Sequence, residues 1–104
     1  MSQQKKLIRQ KFREETFARD RHKCVFCDCK EGLDAHHITD RNEMPNGGYV
    51  KENGITVCPT HHLLCEEFHI NSGKTWPEGY HPNDLYRKVG SSYERAVRAS
   101  EKLG

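Results

Sequence analysis

The chain has few apolar residues for its length, since only 34% of its 104 residues are hydrophobic and 31% are charged. No apolar run approaches the ~20 residues that a membrane-spanning helix needs. No apolar segment of the signal-peptide type follows the start of the chain. These absences argue against a membrane protein and against a secreted one. We therefore expect an intracellular, cytoplasmic protein that makes no membrane contact.

The sequence also contains no internal repeat and no low-complexity tract, and its length predicts one domain spanning residues 1–104. A chain this short buries a smaller share of its surface than a large one, so it often needs an additional cross-link. Five cysteines are available for that purpose. Because disulfides are disfavoured inside cells, we interpret these cysteines as metal ligands.

The formal net charge is only +2, and its distribution is more informative than its size. One segment, residues 5–23, has eight basic side chains and three acidic ones; the basic residues are Lys5, Lys6, Arg9, Lys11, Arg13, Arg19, Arg21 and Lys23. Such a segment suits a phosphate backbone. The solvated face of a helix explains it equally well.

Hydrophobic spacing predicts one amphipathic helix over residues 4–20. Two short strands follow, over residues 33–39 and 49–57, with a polar loop between them. A helix is expected from Pro59 to about Ile70. Proline predicts its start, because it suits the first helical turn. Two C-terminal helices are expected near residues 82–89 and 92–103, the second opened by a capping box of Ser91 and Glu94. The predicted class is α+β, with a zinc-stapled core over residues 22–70 and helices on both sides.

Two cysteine-containing pairs have the spacing of a structural zinc site. Cys24 and Cys27 are separated by two residues, and so are Cys58 and His61. This gap lets a tight turn direct both side chains at one ion, and structural zinc takes four such ligands. The alternative is that some cysteines are small buried residues, which explains one cysteine but not two regular pairs.

Two further cysteines leave the ligand set partly open. Cys65 lies four residues after His61 and shares its helical face, so it could replace His61 as the fourth ligand. We favour His61 because a short loop is the usual geometry. Cys29 is interpreted as a bystander.

Four polar residues remain once this zinc site is filled: His36, His37, Asn53 and His62. Adjacent residues of a strand point to opposite faces, so His36 and His37 cannot both face one ion. A second divalent ion and a histidine that accepts a proton from water would suit hydrolysis of a phosphodiester. A lone histidine usually has a structural role. Two adjacent pairs within one short segment, His36–His37 and His61–His62, favour a functional site instead.

Three sequence segments carry a resemblance to a known family. They are residues 19–27 (RDRHKCVFC), residues 34–39 (DAHHIT) and residues 52–62 (ENGITVCPTHH). Together they resemble the HNH endonucleases, and the match covers residues 19–62, a little under half of the chain. The resemblance implies a ββα-metal fold, also called a His-Me finger. It also implies cleavage of double-stranded DNA with a divalent ion, which could be Mg²⁺, Mn²⁺, Ni²⁺ or Zn²⁺.

Carried over by position, the resemblance implies a role for each residue of the set. His36 and His62 would bind the catalytic ion, His37 would be the general base, and Asn53 would hold the loop and orient the base, or reach the metal. Zinc would be held by Cys24, Cys27, Cys58 and His61. The family usually has cysteine where this chain has His61. The assignment of His61 to zinc and of His62 to the catalytic ion therefore departs from the family pattern.

Other polar residues near these positions are tentative candidates. Glu66 and His69 follow His62 by four and seven residues, so they share its helical face and could complete the metal shell or contact a phosphate. A solvated face accounts for them equally well. Arg41 is a candidate phosphate contact, and Asp34 and Asp40, which flank the histidine pair, are weaker candidates for the metal shell.

The leading functional prediction is a metal-dependent HNH endonuclease that nicks or cuts DNA. A zinc-stapled nucleic-acid-binding module without catalysis is the alternative, and a zinc-dependent interaction domain is a third. His37 separates the first two, because a pure binder needs no base beside a metal ligand. One site cuts one strand, so the chain could act as a monomer or a homodimer.

Overall fold

The computed structural model describes residues 2–103, and side chains from residue 4 onward. Over this range four α-helices and two β-strands form a small α+β domain, which confirms the predicted class. The elements are α1 (Ser2–Arg19), β1 (Asp34–His37), β2 (Gly54–Val57), α2 (Pro59–Ile70), α3 (Pro82–Lys88) and α4 (Tyr93–Glu101). Three 3₁₀ helices connect the strands, at Arg41–Glu43, Pro45–Gly48 and Lys51–Asn53. No helix of this range is long and apolar enough to cross a membrane.

The two strands form one antiparallel sheet in which Asp34 pairs with Val57 and His37 pairs with Gly54. Helices α1 and α2 both pack against the strands. All four residues of β2 are buried as a result. Gly54 permits the close approach of α1, because a Cβ at this position would lie 2.5 Å from Oγ1 of Thr16.

Both strands are shorter than predicted. The expectation of a strand over residues 49–53 was wrong, since Lys51–Asn53 forms a 3₁₀ helix instead. Strand β2 therefore begins only at Gly54. The physical reason lies in Asn53, whose buried side chain bonds to the backbone of Thr39 and Gly48 and turns the chain before the strand starts.

Helix α2 begins and ends where the sequence predicts, but the start of α4 does not match. Ser92 is the N-cap of α4, and its hydroxyl accepts from the backbone N–H of Arg95 at 3.2 Å. The predicted cap, Ser91, instead donates from its hydroxyl to the carbonyl of Glu52 at 2.8 Å. The capping box lies at α3, where Nδ1 of His81 accepts from the N–H of Asn83 at 3.0 Å.

The largest hydrophobic cluster lies between the sheet and the two C-terminal helices. Its most buried members are Ile38, Ile55, Val57, Cys65, Leu85, Tyr86 and Ala96. Burial of each large aliphatic side chain contributes roughly 1.5–3 kcal/mol to folding. This cluster holds α3 against the segment that follows β1, and it thereby fixes the position of the residues next to His36 and His37.

Candidate metal centres and the cleft beside them

Four predicted zinc ligands come together at the start of α2. The ligand atoms of Cys24, Cys27, Cys58 and His61 all lie within 4.8 Å of one another. Nδ1 of His61 lies 3.2 Å from Sγ of Cys58 and 3.7 Å from Sγ of Cys24. Three thiols and one imidazole are a donor set that suits tetrahedral zinc. The cluster could therefore hold a metal such as zinc.

The loop that carries Cys24 and Cys27 is held in place by its own backbone. The N–H of Cys24 donates to the carbonyl of Cys29 at 2.8 Å, and the N–H of Val25 donates to the carbonyl of Thr56 in β2 at 3.1 Å. Hydrogen bonding from the backbone and side chain of His61 lowers the pKa of the Cys58 thiol to about 6. At neutral pH this thiol is therefore largely the thiolate that a metal requires.

The two remaining cysteines lie outside this cluster. Cys65 is buried in the hydrophobic core, and burial raises the pKa of its thiol to about 12. Cys29 is exposed, and its thiol donates to the carbonyl of Glu31 at 3.7 Å. His61 rather than Cys65 is thus the fourth member of the set.

A second group of candidate ligands consists of His36 on β1 with His62 and Glu66 on α2. Their ligand atoms also lie within 4.8 Å of one another. Oε1 of Glu66 is 3.1 Å from Nδ1 of His36 and 3.5 Å from Nε2 of His62. The hydrogen bond with His36 lowers the pKa of Glu66 to about 2, so this carboxylate is ionised. Two imidazoles and a carboxylate suit several divalent ions.

His36 is the buried member of this second group, with 3% of its surface exposed. Burial lowers the pKa of its imidazole, which favours the neutral form that a metal ligand must have. Its interaction with Glu66 is therefore a hydrogen bond from a neutral ring to a carboxylate rather than an ion pair. The Nε2 atom of His36 has no hydrogen-bond partner among residues 2–103.

His37 faces the other side of β1, as the alternation of a strand predicts. Its ring stacks on Phe12 of α1 with the centroids 4.6 Å apart and meets the ring of Tyr49 edge-on at 4.7 Å. Burial lowers the pKa of His37 to about 4, so the imidazole is neutral at physiological pH. Within the described chain its Nε2 atom is buried and lacks a hydrogen-bond partner. The sequence did not predict the contact with Tyr49, because these residues are adjacent only in the folded chain.

Asn53 is fully buried and fixes the segment that follows His37. Its side chain accepts from the N–H of Thr39 at 2.9 Å and donates to the carbonyl of the same residue at 3.0 Å. The hydroxyl of Tyr86 donates to Oδ1 of Asn53 at 2.7 Å. No hydrogen bond between the Asn53 side chain and the His37 ring occurs in residues 2–103. Any effect of Asn53 on His37 therefore acts through the backbone.

An open cleft of about 390 Å³ joins these residues. Its lining includes the second ligand group together with His37, His69, Arg41, Asp34 and Asp40. His69 donates from Nε2 to the carbonyl of His37 at 3.0 Å, so it supports β1 and lies outside the ligand group. Arg41 is exposed and donates from Nη1 to the hydroxyl of Tyr49 at 3.3 Å. Of the tentative candidates, Glu66 joins the ligands, and the other two line the cleft.

The basic residues of the N-terminal segment have different surroundings. Arg9 is exposed, and its guanidinium lies 5.5 Å from the ring centroid of Tyr49. Arg19 is half-buried and donates to the carbonyls of Lys51 and Gly54 at 2.6 and 2.7 Å. Arg9 can thus meet a phosphate, whereas Arg19 holds α1 against β2.

Comparisons with known proteins identify no relative of the chain. No family model, no curated protein and no solved structure matches it. The function is therefore inferred from the pattern of residues in the sequence and from the geometry of the two ligand groups and the cleft.

Proposed function

We propose that this protein is a metal-dependent endonuclease of the HNH type, with a ββα-metal core, that hydrolyses phosphodiester bonds in double-stranded DNA. One observation carries the proposal. A neutral histidine, His37, lines the same cleft as a group of candidate ligands made of His36, His62 and Glu66. A base next to a cation site is what hydrolysis of a phosphodiester requires.

Each residue of the cleft would have a separate role in hydrolysis of the phosphodiester. His37 takes the proton from the attacking water, because its imidazole lines the cleft beside the candidate ligands His36, His62 and Glu66. A divalent ion bound by His36, His62 and Glu66 would supply Lewis-acid stabilisation of the phosphate charge. Arg41, exposed at the edge of the cleft, binds a phosphate oxygen. His69 holds the backbone at the carbonyl of His37, and Asn53 holds the two residues that follow it, Ile38 and Thr39.

The DNA backbone would follow the cations that extend from the cleft to α1. Arg41 and Arg9 both contact Tyr49, one by a hydrogen bond and one over the ring face. Lys5 is exposed one turn before Arg9 on the same face of α1, and the two side chains line a pocket with Tyr49. Such a row of cations binds phosphates without reading sequence.

The cysteine cluster has a structural role in this proposal. It ties the loop after α1 to the start of α2, and α2 carries His62 and Glu66. Zinc bound by Cys24, Cys27, Cys58 and His61 would thereby fix the position of two of the three members of the second group. A small domain gains much of its stability from such an ion.

A nucleic-acid-binding module without catalysis is the alternative function. It is favoured by one observation, that the buried Nε2 of His37 lacks a hydrogen-bond partner in the described chain to fix the ring. The His37 ring is nevertheless restrained, because it stacks on Phe12 and meets the ring of Tyr49 edge-on. Cleavage by the purified protein decides between the two functions.

The test is incubation of supercoiled plasmid with the zinc-loaded protein and added Mg²⁺, Mn²⁺, Ni²⁺ or Zn²⁺. Nicked or linear product is expected, and His37→Ala should lower the rate by roughly 10²–10⁴-fold, the usual contribution of a general base. His22→Asn is the matched control, because His22 is exposed and asparagine tolerates its positive φ of 56°.

Zinc content and melting temperature of His37→Ala must first be shown to equal those of the parent. His37→Gln serves as a second variant if the loss of the ring disturbs packing against Phe12. Absence of product with all four ions would refute the proposal. Equal cleavage by a folded His37 variant would refute the role of His37.

A further inference from the structure

A second pocket, of about 190 Å³, opens beside the cleft that contains His37. Asp40 and His69 line both cavities, so the two are adjacent. The volume is that of about six water molecules, which is enough for a small planar ring. None of the roles proposed so far uses this pocket.

Aromatic rings form its walls. Phe68 and His81 are in edge-to-face contact with their centroids 5.1 Å apart, and the Tyr93 ring, 47% exposed, lies at the start of α4. His81 cannot turn freely, because its Nδ1 accepts from the N–H of Asn83. Trp76 supports the same wall, at 5.5 Å from Phe68 and 4.8 Å from His81. Flat rings held in place are suited to stacking on a nucleobase.

Carboxylates border the pocket next to these rings. Asp40 caps the 3₁₀ helix Arg41–Glu43, so Asp40 and Glu43 lie at its two ends, and both line the pocket. Glu43 is exposed and forms no ion pair with any residue of the described range. An ionised carboxylate accepts hydrogen bonds and cannot donate them. In complexes of proteins with nucleic acids, Asp and Glu accept from the amino groups of bases.

We propose that this pocket binds an unpaired nucleobase bearing an exocyclic amino group, from the nucleotide next to the scissile phosphate. The assignment rests on the proposed nuclease function, and it narrows the substrate to DNA with one nucleotide out of the stack. Adenine, cytosine and guanine have an amino group for Asp40 or Glu43 to accept from, whereas the base of thymine offers only its N3–H, which is flanked by two carbonyls that repel a carboxylate. Extrusion of a base costs least where the base is mismatched or already unpaired.

Trp76 provides a readout that does not depend on cleavage. It is the only tryptophan of the chain, and it packs on Phe68 and His81, two of the rings that line the pocket. The zinc-loaded protein is titrated with each of the four deoxynucleoside monophosphates without added divalent metal, and the fluorescence is corrected for absorption. Saturable quenching is expected with the adenine, cytosine and guanine nucleotides, and thymidine monophosphate should bind at least about tenfold more weakly, the usual effect of losing one hydrogen bond to a charged group.

Two variants separate stacking from amino-group recognition. Tyr93→Ala should lower the binding affinity for all four nucleotides about tenfold, which is the loss typical of one stacked ring. Tyr93→Phe keeps the ring and should bind like the parent. Glu43→Gln should reduce the preference for cytosine over thymine. Glu78→Gln is the matched control, since Glu78 is exposed on the 71–81 loop and is absent from the lining of this pocket. Equal binding of all four nucleotides, or no effect of Tyr93→Ala, would overturn the inference.

Cleavage of short duplexes distinguishes this inference from the proposed function. Duplexes with one unpaired adenine, cytosine or guanine should be cut at least several-fold faster than the paired duplex or one with an unpaired thymine. Equal rates on all substrates would refute the pocket and leave the nuclease intact. Nucleotide binding with the expected selectivity, but no cleavage with any of the four ions, would refute the nuclease instead.

Discussion

His61 and His62 are adjacent in the chain, and their rings belong to two different groups of candidate metal ligands. Nδ1 of His61 lies 3.2 Å from Sγ of Cys58, whereas Nε2 of His62 lies 3.5 Å from Oε1 of Glu66. Successive helical residues differ by about 100° in direction, so one turn of α2 serves both groups. A displacement of this turn would change the geometry of both groups together.

Glu66→Gln should impair the second ligand group and leave the first intact. The variant replaces the ionised carboxylate beside His36 and His62 by a neutral amide, so the affinity for added Mn²⁺ or Ni²⁺ should fall at least tenfold, the smallest effect usual for groups around a metal. Calorimetric titration of the zinc-loaded protein measures it. Glu67→Gln is the control one residue along, where the carboxylate accepts only from Thr75. Unchanged affinity in Glu66→Gln would refute the ligand group.

Cys24→Ser should remove the structural zinc and unfold the domain. Zinc bound by such sites contributes about 10–16 kcal/mol, which is comparable to the ~5–15 kcal/mol stability of a typical domain. Atomic emission should show less than one zinc per chain, and near-ultraviolet circular dichroism should lose its signal. Cys29→Ser changes an exposed thiol outside the cluster and should alter neither quantity. A Cys24→Ser protein that retains zinc and melts at the parent temperature would exclude the four-ligand site.

Tyr86→Phe should change how stability depends on alkaline pH. Burial raises the pKa of Tyr86 to about 12, whereas an unfolded tyrosine titrates near 10. Between these values the unfolded state loses its proton first, so the free energy of unfolding falls as pH rises. The loss amounts to about 3 kcal/mol from pH 10 to 12. Urea unfolding at pH 9, 10 and 11 should show a shallower fall for Tyr86→Phe, and parallel curves would contradict this account.

Asn53→Ala should destabilise the segment after β1 more than its size suggests. The change leaves the N–H of Thr39 and the carbonyls of Thr39 and Gly48 without their side-chain partner, while the hydroxyl of Tyr86 keeps only Oγ1 of Thr39. A loss of about 3 kcal/mol is expected, since an unsatisfied buried group costs about 1–3 kcal/mol. Denaturant unfolding measures it, with Asn42→Ala as the exposed control. A difference below about 0.5 kcal/mol, the usual range of surface changes, would show that these hydrogen bonds are dispensable.

The sequence by itself determined the features that depend on neighbouring residues. The spacing of the cysteine pairs predicted Cys24, Cys27, Cys58 and His61 as one set, and the structure brings them together. Pro59 predicted the start of α2, and the alternation of a strand predicted that His36 and His37 face apart. Spacing works here because a turn or a strand places residues a few positions apart in known directions. The nuclease activity and the DNA partner stay predictions.

Only the tertiary structure decided the contacts between distant parts of the chain. It placed Glu66 beside His36 rather than on a solvated face, and it enclosed the His37 ring between Phe12 and Tyr49. It also ended the second strand early through Asn53. These outcomes depend on which faces of α1, α2 and the sheet meet. Such packing is set by long-range burial of apolar area, which local periodicity does not encode.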